Sequence, residues 1–221
     1  MKISYKIKEV KDRIYSVVIK DDYDRAMTFC RVEEFYESPN SKFRGKSYSI
    51  WEYMKWYSQE NGGFTYAKDW VGFNIHLKSA IKCYEKIKED LTPYDKIMKE
   101  IVSKIGLDMF SKKNKIDLNA YIIGSEDTKG DTFRHEMCHA LYSLDKKYKR
   151  EMDGLNSSID PIHYKILSDN LIGIGYSTKV VPDEIQAYLS TTKEHKKIYK
   201  GIKKSIIEGY HKKYSEVLKK Y

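Results

Sequence analysis

The 221-residue sequence predicts an α+β fold, a small mixed sheet set among more numerous helices. Three observations predict it. Strand-like runs are few and short, at residues 3–10, 14–19 and 118–125. Most of the remaining chain carries apolar residues at helical spacing, bounded by caps, prolines and glycines. The length suits one large domain or two small ones, and it is enough to bury a core.

The elements follow in order. "ISYKIKEV" alternates, "IYSVVI" continues in strand composition, and "KDR" between them reads as the turn of a hairpin. Residues 21–38 suit a helix, with an acidic start and Met27, Cys30, Val32 and Phe35 on one side. In "SIWEYMKWYSQENGG", Ser49 and Glu52 form a capping box, and Gly62 and Gly63 stop the helix. Residues 64–74 read as an aromatic loop, a packed turn rather than the lining of a cleft. Residues 77–90 form a helix, and another starts at Thr92 and Pro93 and ends at Gly106. A lysine-rich turn leads to the short strand "LNAYIIGS" at 118–125.

A helix beginning near Asp131 carries "GDTFRHEMCHALYSLDKKY". Residues 149–158 read as a helix end or loop. Residues 160–176 and 181–192 read as helices entered through Pro161 and Pro182. The remainder, 193–221, reads as one long basic amphipathic helix with Ile198, Ile202, Ile206, Tyr210 and Tyr214 along one stripe.

Composition narrows the function classes. No run of about 18 apolar residues occurs, and the first residues lack an apolar leader core, so the expectation is a soluble intracellular protein. Cys30, Cys83 and Cys138 are odd in number and widely spaced, which excludes a disulfide framework and agrees with a reducing compartment. The net charge of +9 is concentrated at one end, where 193–221 holds ten lysines against three glutamates. Such a tail attracts an anionic partner, nucleic acid or membrane surface, although a solvated lysine face is the commoner meaning.

The chemistry-bearing segment is "HEMCH", residues 135–139. Residues four apart share a helix face, so His135 and His139 can bind one zinc ion. Glu136 is displaced by about 100° round the helix, beside the metal, where a general base belongs. Phe133, Met137, Ala140, Leu141 and Leu144 supply a buried stripe that keeps the segment helical. A catalytic zinc needs a third protein ligand and an open position. Glu184 in "VPDEIQAYLS" and His163 in "DPIHYKIL" are the candidates. A carboxylate at a helix start also serves as a cap or dipole partner, which applies to Asp183 and Glu184 alike.

"HEMCH" followed by a helix carrying "DEIQAY" resembles the gluzincin type of zinc metallopeptidases over roughly residues 118–190. The resemblance implies a zincin-like fold: a small mixed sheet, an active-site helix and a mostly helical C-terminal part. It implies one Zn2+ per chain, held by His135, His139 and Glu184, and peptide-bond hydrolysis by a metal-activated water with Glu136 as general base. A further donor to the developing oxyanion is implied, for which Tyr188, Tyr176 and His163 are candidates. Tyr188 stands where several gluzincins carry an aspartate that supports a ligand.

The resemblance also implies an edge strand before the active-site helix that pairs with substrate, a role that would fall to Ala120, Tyr121 and Ile122. A later histidine as third ligand, as in SprT-like proteases, keeps His163 as the alternative metal ligand. The expected organisation is an N-terminal α+β region over 1–106 without an assigned role, a zincin-like region over 107–192, and the basic helix over 193–221, packed as one unit. The competing function class is a nucleic-acid or membrane-surface binder whose basic helix does the binding and whose zinc is structural or vestigial.

Overall fold

The alternation at the amino terminus folds into a hairpin. In the computed structural model, which describes residues 3–88 and 90–221, β1 (Lys6–Lys11) and β2 (Ile14–Val18) pair antiparallel. Arg13 takes the left-handed conformation in the turn, at φ 64°. The register shifts between Glu9 and Lys11. α1 (Asp22–Glu37) starts where the Asp21 side chain accepts from Asp24 N. α2 (Ile50–Asn61) has the expected capping box at Ser49 and Glu52 and ends on Gly62 at φ 70°.

The aromatic segment 64–74 departs from the expected loop. It contains a single helical turn, α3 (Tyr66–Asp69), and a strand, β3 (Phe73–His76). Four residues are too few for a period to register in sequence. β3 pairs antiparallel with β4 (Tyr121–Ser125), and β4 pairs parallel with β2. The sheet order is β1-β2-β4-β3.

The edge-strand expectation is thereby corrected. Tyr121 and Ile122 lie on a strand with a neighbour on each side. Ala120 is buried, its carbonyl accepting from Leu77 N at 2.8 Å and its N–H donating to Asp117 O at 3.0 Å. Substrate addition needs an unpaired ladder, and a central strand has none to offer.

α1 covers this sheet. Phe29 lies against Gly124 of β4 so closely that a Cβ there would sit 2.5 Å from its ring, and Phe29 stacks on Phe73 at 5.1 Å. α4 (Leu77–Lys86) stops four residues before the expected end, and Glu89 lies outside the described residues. α5 (Pro93–Lys113) runs through Gly106 instead of ending there. Ile105 and Met109 continue its buried face, and an interior glycine costs only about 1 kcal/mol. Asn114, at φ 52°, ends it. The buried Arg31 donates Nε to Asp95 Oδ1 at 2.8 Å and ties α1 to α5.

The chain divides into two compact units, Met1–Phe133 and Arg134–Tyr221. The pairing of β4 with β2 and β3 places it with the N-terminal strands. The second unit is helical: α6 (Asp131–Leu144, from Arg134 onward), α7 (Lys146–Ser157), α8 (Pro161–Gly173), α9 (Val181–Thr191) and α10 (Lys204–Leu218). α7 replaces the expected helix end over 149–158. Asp145 accepts from Lys147 N and Tyr148 N to cap it, and Tyr148, Met152 and Asn156 bury one face.

The expected single helix over 193–221 is also corrected. Gly201 adopts φ 90°, and only 204–218 is helical. The buried set of α10 is Ile207, Tyr214 and Val217, packed towards α9 and α7. The described residues contain no helix long and apolar enough to cross a membrane. All three cysteines are free and buried.

Candidate metal centre

α9 is the most buried helix of the second unit. Val181, Glu184, Ile185, Gln186, Ala187, Leu189 and Ser190 are all enclosed. Pro182 sits in its first turn with Asp183 and Glu184, so two carboxylates enter the interior where the helix dipole favours negative charge. On α6, Cys138, Ala140 and Leu141 face the core. The opposite pair, His135 and His139, points towards the start of α9.

The ligand atoms of His135, His139 and Glu184 lie within 4.8 Å of one another. His139 Nε2 is 3.1 Å from His135 Nε2. Glu184 Oε1 is 3.7 Å from His139 Nε2, and Oε2 is 3.8 Å from His135 Nε2. Two ligands at zinc-like distances on a tetrahedral ion are about 3.3–3.4 Å apart. The observed triangle is within about half an ångström of that.

The donor set fits a cation as well as the distances do. His139 Nδ1 is 3.0 Å from Asp183 Oδ1, so its proton is held there and Nε2 presents a lone pair. Burial pushes His135 well below its ordinary value, helped by His139 and His195, so it is a neutral imidazole. Burial acts on His139 in the same direction, but Glu184 and Asp183 outweigh it and drive its affinity for a proton well up. A positive charge is thus favoured at this point. The three residues could hold a metal ion.

A polar chain supports the ligand. Asp183 Oδ1 also accepts from Gln186 Nε2 at 2.8 Å, and Gln186 Oε1 accepts from Tyr148 OH at 2.8 Å. Gln186 and Tyr148 are fully buried. Sequence reasoning weighed Asp183 only as a cap and missed the roles of Gln186 and Tyr148. The available signal was adjacency: a second carboxylate beside Glu184 in one helical turn.

Glu136 is buried, and its charge is felt by His139, Tyr176 and Tyr188. The Tyr188 ring packs on His135 at 4.6 Å, and its hydroxyl is 3.2 Å from Tyr176 OH. Burial pushes both phenols up, so both stay protonated at neutral pH. His195, which the sequence did not single out, also packs against the Tyr188 ring, at 5.3 Å.

His163 is not in this group. Its Nδ1 is 3.0 Å from Tyr210 OH, and Asp160 is 3.9 Å away, which corrects the alternative assignment. Cys138 is enclosed among core residues, its thiol pushed up to about 12 by burial. The ten lysines of 193–221 are all exposed, and Lys204 and Lys220 pair with Glu194 and Glu151.

Among known proteins, no family model, no curated protein and no solved structure matches the chain. The gluzincin likeness therefore rests on these residues themselves.

Proposed function

We propose that the protein is a zinc-dependent metallopeptidase of zincin type, acting on a peptide or protein inside a cell. The observation that carries the reading is the convergence of His135, His139 and Glu184 with Asp183 on the far nitrogen of His139. A tetrahedral arrangement of two imidazoles and a carboxylate suits zinc and leaves a position open. When bound, zinc supplies Lewis acidity to a carbonyl and lowers the pKa of water.

The chain's own groups supply the rest. Glu136 follows the first ligand on the helix and is the base that takes a proton from water and returns it to the leaving amine. Its burial strengthens that exchange, because little solvent competes for the proton. Tyr188, beside His135, and Tyr176, against the Tyr188 hydroxyl, remain phenols, so each can donate to negative charge developing on the carbonyl oxygen. Asp183 fixes the tautomer and ring orientation of His139.

The test has two parts. Metal analysis of purified wild type is expected to give about one zinc per chain, with a sharp loss in Glu184→Ala. Glu136→Gln is expected to keep the zinc and lose peptide cleavage. A well-folded wild type that binds no zinc, or a Glu136→Gln variant that cleaves as before, rejects the proposal.

A further inference from the structure

A cavity of about 450 Å³ opens in the first unit, between the end of α1 with the loop at Arg44 and Gly45, one face of α4 and the segment before β4. That is within the range of about 300–1,000 Å³ for pockets that hold small ligands. Its lining contains Arg44, Lys78, Lys82 and Lys86, and no carboxylate. Lys78, Lys82 and Lys86 recur every four residues along α4, so they project from one face. Like charges at that spacing destabilise a helix.

Local pairing does not relieve them. Some helical lysines elsewhere pair with an acid four residues away, as in Lys104–Glu100, Lys112–Asp108, Lys149–Asp153 and Lys165–Asp169. Among the described residues, Arg44, Lys78 and Lys82 have no ion-pair partner, and Lys86 donates to the carbonyl of Gly45 at 3.1 Å. Three cations without an ion pair, together with Lys86, thus line one concavity.

Two more features define what would fill it. Lys78 and Ser79, in the first turn of α4, line the cavity, so the positive end of the helix dipole adds to the field. Tyr36, half exposed, also lines it, in a T-shaped contact with His76 at 6.5 Å. The face of Tyr36 offers a planar group a surface on which to stack.

From this arrangement we infer that the cavity binds a phosphorylated small molecule bearing a planar ring, a mononucleotide in chemical class. The lysines and Arg44 would take the phosphate oxygens, Arg44 with its planar fork, and Tyr36 the ring. The inference is independent of the metal centre and of the peptidase reading.

The experiment is isothermal titration of the full chain at low salt with adenosine 5′-monophosphate, adenosine, inorganic phosphate and a short single-stranded oligonucleotide. The monophosphate is expected to bind most tightly, phosphate more weakly and adenosine not measurably, with affinity falling as salt rises. Lys78→Glu with Lys82→Glu is expected to weaken the monophosphate by about tenfold or more. Tyr36→Ala should weaken the monophosphate but leave phosphate unchanged. These side chains are exposed, and unchanged tryptophan fluorescence and thermal midpoint would verify folding. Monophosphate and phosphate both failing to bind at millimolar concentration overturns the inference. So does monophosphate binding that the double charge reversal leaves intact. Binding of the oligonucleotide alone overturns it in favour of a nucleic-acid surface.

Discussion

Asp183 receives two hydrogen bonds at one oxygen, from His139 Nδ1 at 3.0 Å and from Gln186 Nε2 at 2.8 Å. Its effect on a metal is exerted through His139, so it is a positioning residue. Asp183→Asn keeps the shape but removes the charge that makes His139 a stronger donor. The expected result is a loss of about 10–100-fold in zinc affinity, measured by competition with a chromophoric chelator, with the stoichiometry unchanged. Glu184→Ala, by contrast, removes a ligand and should lower the stoichiometry itself. The ligands were legible because an i, i+4 pair leaves a signature in a single helix. Asp183, Gln186 and Tyr148 were not, because their contribution depends on a helix 38 residues away from its partner, as the Tyr148–Gln186 bond shows. A hydrogen bond across such a separation leaves no period in the sequence.

At the scale of elements, the packing of α1 on the sheet turns on one glycine. Any side chain at Gly124 would enter the ring of Phe29, which is itself held against Phe73. Gly124→Ala must displace α1 or force Phe29 from its rotamer, and is expected to cost about 1–3 kcal/mol in denaturant unfolding. A companion Phe29→Leu substitution should recover part of that loss if the contact is its cause. Elements with local punctuation were legible: the capping box of α2 and the prolines opening α5, α8 and α9 mark their starts. Where tertiary contacts overrode a local signal, the reading failed. Burial of Ile105 and Met109 carries α5 through Gly106, while Gly201 interrupts a stripe that looked continuous. β3 gains its identity only from β4, and their pairing makes β4 an interior strand.

At the scale of the whole molecule, the units can be followed separately. Trp51, Trp56 and Trp70 all belong to the first unit, so tryptophan fluorescence reports its unfolding alone. That unit contains Glu34, buried among tyrosines. Burial raises its pKa above the ordinary 4.5, and the hydroxyls of Tyr53, Tyr66 and Ser38 nearby offset only part of that rise. The folded state therefore keeps a proton that the unfolded chain releases. The sign follows from linkage: stability is greatest below the unfolded value and declines as pH rises towards the raised folded value. Glu34→Gln should remove that decline. The difference in denaturant midpoint between variant and wild type, followed by fluorescence, is expected to grow in the variant's favour from pH 4.5 upward. A constant difference would mean that Glu34 does not change its protonation on unfolding.

The sheet order has a last consequence, for how the molecule behaves in a crowd. Its two rims are β1 and β3. β1 carries Lys6, Lys8 and Lys11 and breaks register between Glu9 and Lys11, while β3 is only four residues long. Charge, irregularity and brevity are the features that keep a rim from templating a foreign strand. The apolar strands "IYSVV" and "YIIGS" are both interior, each with a neighbour on either side. A fibril that tried to grow from this sheet would have to start on the lysines of β1 or on the four residues of β3.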